Sequence, residues 1–247
     1  MDNYDILLPM RTYDARLTEI QMEAEGRFAA WIDCPPAAIP AAGQYTLAYA
    51  PGDPLAALAV PLFCGGAAGR LEPGEGGFLA APPLPVAWAP GTSLVLRGPL
   101  GRGFSLDGQR LALAALGDTV TRLLPLAGAA MQRGDAVTLF TNAPLPALPA
   151  SIEIYPLGSL PEALSWADCL AIDLPPEALA GLRASLGLQK GDRLSLPAQA
   201  LVFMPMPCGG LAECGACAVP IYRPLGQRRY RLACKDGPVF NLDELEW

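Results

Sequence analysis

Four cysteines near the carboxyl end of the chain are the residues best suited to metal chemistry. They follow the spacing C-x5-C-x2-C-x16-C, from Cys208 through Cys214 and Cys217 to Cys234. Thiolates are soft ligands, and four of them at one point suit an iron–sulfur cluster or zinc. Small residues between them leave room for a metal and let backbone N–H groups turn towards the sulfurs: Gly209, Gly210, Gly215 and Ala216. The pattern is close to the plant-type [2Fe–2S] spacing, C-x4-C-x2-C…C.

Two other interpretations of these cysteines are open. They could be ordinary buried thiols, but four cysteines interleaved with glycine in so short a segment argue against that. They could instead form a four-cysteine zinc site, because C-x2-C pairs are common zinc ligands. Zinc ribbons normally use two such pairs, and neither Cys208 nor Cys234 has a C-x2-C partner. The spacing therefore favours an iron–sulfur centre.

The same segment resembles a known family. That family's cluster loop runs M-x-C-G-x-G-x-C-x-x-C, and its last ligand lies in C-K-D-G-P-V-F, which residues 234–240 match at every position. The segment is thus similar to the electron-transfer subunit of bacterial dihydroorotate dehydrogenase, of the ferredoxin–NADP reductase superfamily. This chain has five residues, not four, between Cys208 and Cys214. The resemblance implies a [2Fe–2S] cluster on the four cysteines, a flavin-containing catalytic partner subunit and a role in pyrimidine biosynthesis.

Composition excludes several other functions. Only 17% of the residues are charged, the net charge is −7, and there is no long basic run, which argues against a nucleic-acid partner. The chain has no histidine, so Ser-His catalysis, His-ligated metals and Rieske-type clusters are excluded. The acidic start and the short, proline-interrupted apolar stretches predict a cytoplasmic protein without membrane insertion. Cys34, Cys64 and Cys169 are expected to be buried thiols.

The first expected domain, residues 1–106, is a flavin-reductase-like antiparallel β-barrel. Short segments of alternating apolar character, including one at residues 6–8, predict its strands. Resemblance to the family's P-G-Q-[FY], G-T-x-x-L and G-P-L-G-x-G-F motifs assigns residues that would contact FAD: Tyr45, Pro61, Leu62, Gly91, Thr92, Gly98 and Gly101.

One flavin motif is altered. Where the family has R-P-[IL]-S, this chain has Val60-Pro61-Leu62-Phe63, which removes a guanidinium contact to the pyrophosphate and a hydroxyl contact to the ring. Arg97 or Arg102 could supply a replacement cation. FAD therefore stays open, and we expect the isolated chain to purify without stoichiometric FAD.

The second expected domain, residues 107–200, is a Rossmann-like α/β domain. Apolar runs at residues 110–116, 137–140, 151–155 and 169–173 predict buried parallel strands. Helices are expected over residues 118–132, with Asp118 as N-cap, and over residues 176–186, with proline at the start. Alternating strands and helices are typical of a doubly wound sheet.

The dinucleotide motifs of this domain are degenerate. Of the family's G-G-G-x-G-x-x-P-L turn, only Gly117 and the pair Pro125-Leu126 remain, and Asp118 adds a negative charge. The family's C-G-P motif near the nicotinamide is replaced by Asp173-Leu174-Pro175. Without the glycines, backbone N–H groups cannot close on a pyrophosphate, so NAD(P) is not expected to bind.

These predictions combine into one hypothesis and one alternative. The chain is expected to be an electron-transfer subunit whose C-terminal domain, residues 201–247, carries a [2Fe–2S] cluster. It would relay electrons to or from a flavin oxidoreductase without oxidising NADH itself. The alternative is a non-redox structural adaptor, a degenerate reductase fold held by a four-cysteine zinc site.

Overall fold

The structure is a computed structural model that describes residues 11–24, 27–52, 58–67, 70–105, 107–189, 192, 194–222 and 229–247. The strand expected at residues 6–8 lies outside the described residues. Within them, the chain forms a barrel, a mostly parallel sheet and a C-terminal segment that packs against both. This confirms the predicted combination of an antiparallel barrel, a Rossmann-like α/β domain and a small C-terminal domain.

Six antiparallel strands close the barrel. They are β1 (Thr12–Ala24), β2 (Arg27–Asp33), β3 (Tyr45–Tyr49), β4 (Val60–Gly65), β5 (Gly77–Ala80) and β6 (Ser93–Leu100). They pair in the order β1-β2-β5-β4-β3-β6. Because side chains alternate along a strand, Leu62 and Cys64 of β4 enter the barrel core while Phe63 faces the second domain.

Five parallel strands form the main part of the second sheet. They are β7 (Arg110–Ala115), β8 (Ala136–Thr141), β9 (Ile152–Tyr155), β10 (Cys169–Leu174) and β11 (Ala198–Val202). The order β11-β10-β7-β8-β9 reverses direction between β7 and β10. All six residues of β10 are buried, as an apolar run predicts for a central parallel strand. Strand β11 was not predicted from the sequence.

Three short helices accompany this sheet. They are α1 (Leu124–Gln132), α2 (Leu160–Trp166) and α3 (Leu182–Ser185). The helix expected over residues 118–132 was predicted too long: it begins at Leu124, after a 3-10 turn at Thr121–Leu123, and Asp118 is not its cap. The helix expected over residues 176–186 is mainly 3-10, with α3 as a single α-helical turn after Gly181. None of the helices in the described ranges is long and apolar enough to span a membrane.

The C-terminal segment is joined to both domains. It contains the hairpin β12 (Ala218–Ile221) and β13 (Arg229–Leu232), the short helix α4 (Ala233–Asp236) and strand β14 (Val239–Asn241). Strand β14 pairs antiparallel with β11 and extends the parallel sheet at its edge. Since β11 runs across residue 200, the second and third expected domains share a sheet. Their limits at residues 106 and 200 stay a prediction.

Candidate metal centre and dinucleotide cleft

The four C-terminal cysteines lie in one neighbourhood, where Cys208 also acts on Cys234. The thiols of Cys208 and Cys214 interact with each other, and so do those of Cys217 and Cys234. The first three are on the loop between β11 and β12, and Cys234 is on α4. Cys217 and Cys234 are buried, whereas Cys214 is exposed. In the described part of the chain, no three His, Cys, Asp or Glu side chains are grouped so as to hold a metal ion.

Backbone N–H groups of the loop point at the sulfurs. The N–H groups of Glu213 and Cys214 lower the pKa of the Cys208 thiol to about 6, although burial acts to raise this pKa. Burial raises the pKa of the Cys234 thiol to about 12, although the N–H of Ala212 partly offsets it. Ala216 N–H donates to Cys214 Sγ at 3.4 Å. Such peptide donors stabilise sulfur-borne negative charge, so this donor set suits a thiolate-ligated cluster.

Two barrel side chains hold the C-terminal segment by hydrogen bonds to its backbone carbonyl oxygens. Tyr45 Oη donates to the carbonyl oxygen of Cys234 at 2.8 Å, and Arg97 Nη2 donates to that of Gly209. Gly210 has a φ of +73°, and a Cβ there would lie 3.0 Å from Leu47 Cδ1 and 3.2 Å from Tyr45 Oη. Only glycine fits between the loop and β3 at this distance.

Two of the residues assigned to flavin contact the C-terminal segment, and their assignment to FAD stays a prediction. Tyr45 is fully buried, and its hydroxyl makes the bond to Cys234 just described. A Cβ at Gly101 would lie 2.6 Å from the carbonyl oxygen of Gly237, and the N–H of Arg102 donates to that oxygen at 2.6 Å. Arg97 is likewise engaged at the cluster loop rather than open to a pyrophosphate.

The other flavin-assigned residues are dispersed around the barrel. Pro61 and Leu62 lie on β4 opposite β3, with Leu62 completely buried in the barrel core. Gly91 and Thr92 form a turn that bonds to Leu17 of β1. At Gly98, a Cβ would lie 2.8 Å from Thr46 Oγ1. The sequence assignment of these residues to FAD stays a prediction.

Aromatic side chains fill the space between barrel and sheet. Phe63, which stands where the family has a serine, is buried with its ring centroid 5.8 Å from that of Tyr45 and 5.6 Å from that of Phe203. The guanidinium of Arg122 lies over the ring of Phe203, with its Cζ 4.5 Å from the ring centroid. The region beside β4 is therefore packed with protein side chains.

A buried ion pair lies at the point where the strand order reverses. Arg122 Nε is 2.9 Å from Asp173 Oδ2, and the two side chains are only 5% and 1% exposed. Arg122 Nη1 also donates to the carbonyl oxygen of Pro82 at 2.8 Å. Burial raises the pKa of the Asp173 carboxyl, while Arg122 opposes this effect. Doubly wound sheets bind dinucleotides at this reversal, beyond the carboxyl ends of the strands.

The degenerate turn that follows β7 is bonded to the barrel. Asp118 forms an ion pair with Arg27 at 2.5 Å. Thr119 Oγ1 donates to Glu23 Oε2 at 3.0 Å, and Thr121 Oγ1 donates to the other oxygen of the same carboxylate. These contacts explain why α1 begins late, since residues 118–121 bind the β1–β2 hairpin rather than extending the helix.

Sequence reasoning missed the partners of two arginines. The signal for the buried pair was present, since Asp173 ends an apolar strand and a buried carboxylate needs a cation. Nothing local in the sequence indicated that Arg97 reaches Gly209, because these residues are 112 positions apart. The expected burial of Cys34, Cys64 and Cys169 is confirmed, and all three thiols are free.

Comparison with protein families supports the resemblance of the C-terminal segment. Residues 206–246 match the family model of the iron–sulfur cluster binding domain of dihydroorotate dehydrogenase B. No curated protein matches the sequence at a significant level. The similarity to the electron-transfer subunit family, first seen in the cysteine motifs, is thereby confirmed.

Solved structures of ferredoxin reductases share the fold. The chain is similar to the ferredoxin reductase in carbazole 1,9a-dioxygenase, with TM-score 0.55 and 16% identity over 74% of this chain and 68% of that one. The FAD apo form of that reductase gives TM-score 0.52 and 16% identity, and the match spans 74% of this chain and 66% of its length.

Two further structures cover other shares of the chain. Phthalate dioxygenase reductase, described as a modular structure for electron transfer from pyridine nucleotides to [2Fe–2S], gives TM-score 0.54 and 12% identity over 90% of this chain and 77% of that one. The flavohem-like FAD/NAD binding domain of nitric oxide dioxygenase from Vibrio cholerae gives TM-score 0.52 and 13% identity. The match covers 79% of this chain and 99% of that one. At these identities the likeness shows the fold alone.

Proposed function

Because residues 206–246 match the family model of the iron–sulfur cluster binding domain of dihydroorotate dehydrogenase B, we propose that this chain is an electron-transfer subunit with one [2Fe–2S] cluster. Cys208, Cys214, Cys217 and Cys234 would hold the cluster. It would supply one-electron transfer when bound, and the protein would orient it and shield it from water.

The observation that carries this proposal is the match of residues 206–246, which contain all four cysteines, to that family's model. The thiols of Cys208 and Cys214 interact, Cys234 interacts with both Cys217 and Cys208, and four neighbouring thiols suit a [2Fe–2S] centre. Peptide N–H groups directed at Cys208 and Cys234 add the donors that tune such clusters. The exposed Cys214 would leave one edge of the cluster open to a partner.

The partner in this proposal is a flavin-containing oxidoreductase subunit. In the family named above, the catalytic enzyme is a dihydroorotate dehydrogenase, and a paralogous redox complex fits the altered motifs better. The buried pair Arg122–Asp173 lies at the strand reversal, and the ring of Phe63 packs against Tyr45, which supports a chain that binds neither NAD nor stoichiometric FAD. Electrons would therefore enter and leave through the cluster edge, and the isolated chain would purify without stoichiometric FAD.

Metal analysis tests this function. Protein purified without oxygen should contain about two irons and two labile sulfides per chain and have a red-brown visible spectrum. Its reduced form should give an electron paramagnetic resonance signal. One zinc per chain, no iron and no colour would contradict the proposal and favour the structural adaptor.

A further inference from the structure

Arg97 places a positive charge beside the cluster loop. It lies on β6, and its Nη2 donates to the carbonyl oxygen of Gly209, the residue after Cys208. The contact joins the barrel to the loop across 112 positions of sequence. Arg97 is partly buried, and its Nε is fully buried without a hydrogen-bond partner among the described residues.

This guanidinium has no acidic partner in the described parts of the chain. The five ion pairs there use other arginines: Arg27, Arg110, Arg122, Arg133 and Arg231. Arg27 Nε is also buried without a hydrogen-bond partner in the described residues, but Asp118 neutralises that guanidinium, and Asp173 neutralises the buried Arg122. A desolvated cation is costly unless an anion or hydrogen bonds compensate it, so Arg97 requires a counter-charge from another source.

Residues next to Arg97 connect it to the two segments that carry Cys208 and Cys234. A Cβ at Gly210 would lie 3.8 Å from Arg97 Nη2 and 3.2 Å from Tyr45 Oη. The Tyr45 hydroxyl is in turn 2.8 Å from the carbonyl oxygen of Cys234. Arg97 therefore bonds to the loop of Cys208 next to Tyr45, the barrel residue that bonds to Cys234.

A [2Fe–2S] centre on four thiolates supplies the missing negative charge. Four thiolates and two sulfides outweigh the charge of two ferric ions, and reduction by one electron makes the centre more negative. A fixed cation in a partly desolvated position favours the more negative state. When bound, the centre would supply the exchange of one electron with the flavin of the partner subunit.

We propose that Arg97 is the internal counter-charge of the iron–sulfur centre and raises its reduction potential. The inference rests on the proposed function and assigns Arg97 as a positioning residue, since its direct bond is to the Gly209 carbonyl. The hydrogen bond fixes the loop, and the charge sets the redox balance. These two roles can be separated by substitution.

The test compares Arg97→Gln with Arg97→Lys in the full chain with its cluster assembled. Glutamine keeps a donor for the Gly209 carbonyl but loses the charge, whereas lysine keeps the charge. We expect the midpoint potential to fall in Arg97→Gln and to stay near the wild-type value in Arg97→Lys. Redox titration followed by visible absorbance and electron paramagnetic resonance measures both. Arg110→Gln, which removes an exposed cation paired with Asp168, is the matched control and should leave the potential unchanged.

The remaining outcomes are decisive in either direction. Equal potentials in wild type and Arg97→Gln, with iron retained, would overturn the counter-charge role while leaving the proposed function intact. Loss of iron in both variants would also overturn it, because the residue would then serve only to fix the loop. Loss of iron in Arg97→Gln alone would support it, since assembly would need the cation. A wild-type protein without any iron–sulfur centre would instead refute the proposed function.

Discussion

The cluster loop and the turn after β7 use polar groups in opposite ways. In the cluster loop, backbone N–H groups point at thiols, and the nearby Arg97 keeps a buried donor unpaired. In the turn, Asp118 is bound to Arg27, and Thr119 and Thr121 are bound to Glu23. The first region presents groups that a cofactor can use. The second has bound its hydroxyls and its carboxylate to the protein itself, and of its groups only Arg27 Nε is buried without a hydrogen-bond partner among the described residues.

This difference separates a region whose donors are open to a cofactor from one whose donors are engaged within the protein. A doubly wound sheet still has the strand reversal where a dinucleotide would lie, but here Arg122 and Asp173 neutralise each other at that point. Keeping the topology therefore says little about keeping the ligand. The state of the donors at the site, free or paired within the protein, is the more informative feature.

The largest expected effect is at the cluster loop. Cys208→Ser or Cys234→Ser should abolish the visible spectrum, because a hydroxyl is a poor ligand for iron in place of a thiolate. Cys64→Ser is the control, since Cys64 lies buried in the barrel core, where burial raises the pKa of its thiol to about 12. Visible absorbance and iron content per chain measure the outcome. Full iron content in Cys208→Ser would remove that cysteine from the ligand set.

The next largest effect is expected at the buried ion pair. Asp173→Ala should reduce the free energy of unfolding by about 3–5 kcal/mol, because it leaves the Arg122 charge buried without its anion. Chemical denaturation measures this loss.

A matched control is available on the same stretch of chain. Asp168 precedes β10 and pairs with Arg110 in an exposed position, so Asp168→Ala should cost less than Asp173→Ala. Equal losses in the two variants would show that the pair at the strand reversal is no more important than a surface contact. The Arg122–Asp173 pair would then not be what closes the cleft at the strand reversal.

A smaller effect is expected where the barrel meets the cluster segment. Tyr45→Phe removes the hydrogen bond to the Cys234 carbonyl and should cost about 0.5–1.5 kcal/mol of unfolding free energy. Tyr49→Phe on the same strand is the control, because Tyr49 is 43% exposed and should be close to neutral. Indistinguishable denaturation curves for the two variants would mean that the bond adds nothing to the attachment.

The sequence predicted the parts of this structure that depend on local patterns. Apolar runs located β7, β8, β9 and β10 within a residue or two, because buried parallel strands need continuous hydrophobicity. The cysteine spacing and the C-K-D-G-P-V-F match located the candidate cluster segment. Both signals are contained in a few neighbouring residues.

The remaining features depend on contacts between distant residues. Asp118 is a good N-cap by residue type, but its ion pair with Arg27 binds it to the barrel instead. The roles of Arg97 and Tyr45 follow from partners 112 and 189 positions away. No window of sequence contains such a pair, so tertiary contacts decided these positions.

The smallest expected effect is that of nicotinamide nucleotides. NADH or NADPH at millimolar concentration should give no heat of binding in calorimetry and no change in melting temperature. The pyrophosphate would need free N–H donors in the turn after β7, and Asp118 would repel it. Arg122, the nearest alternative cation, is already bonded to Asp173 and to the Pro82 carbonyl. Micromolar affinity would show that another loop holds the phosphates. The contrast between the open donors of the cluster loop and the engaged donors of the turn after β7 would then fail.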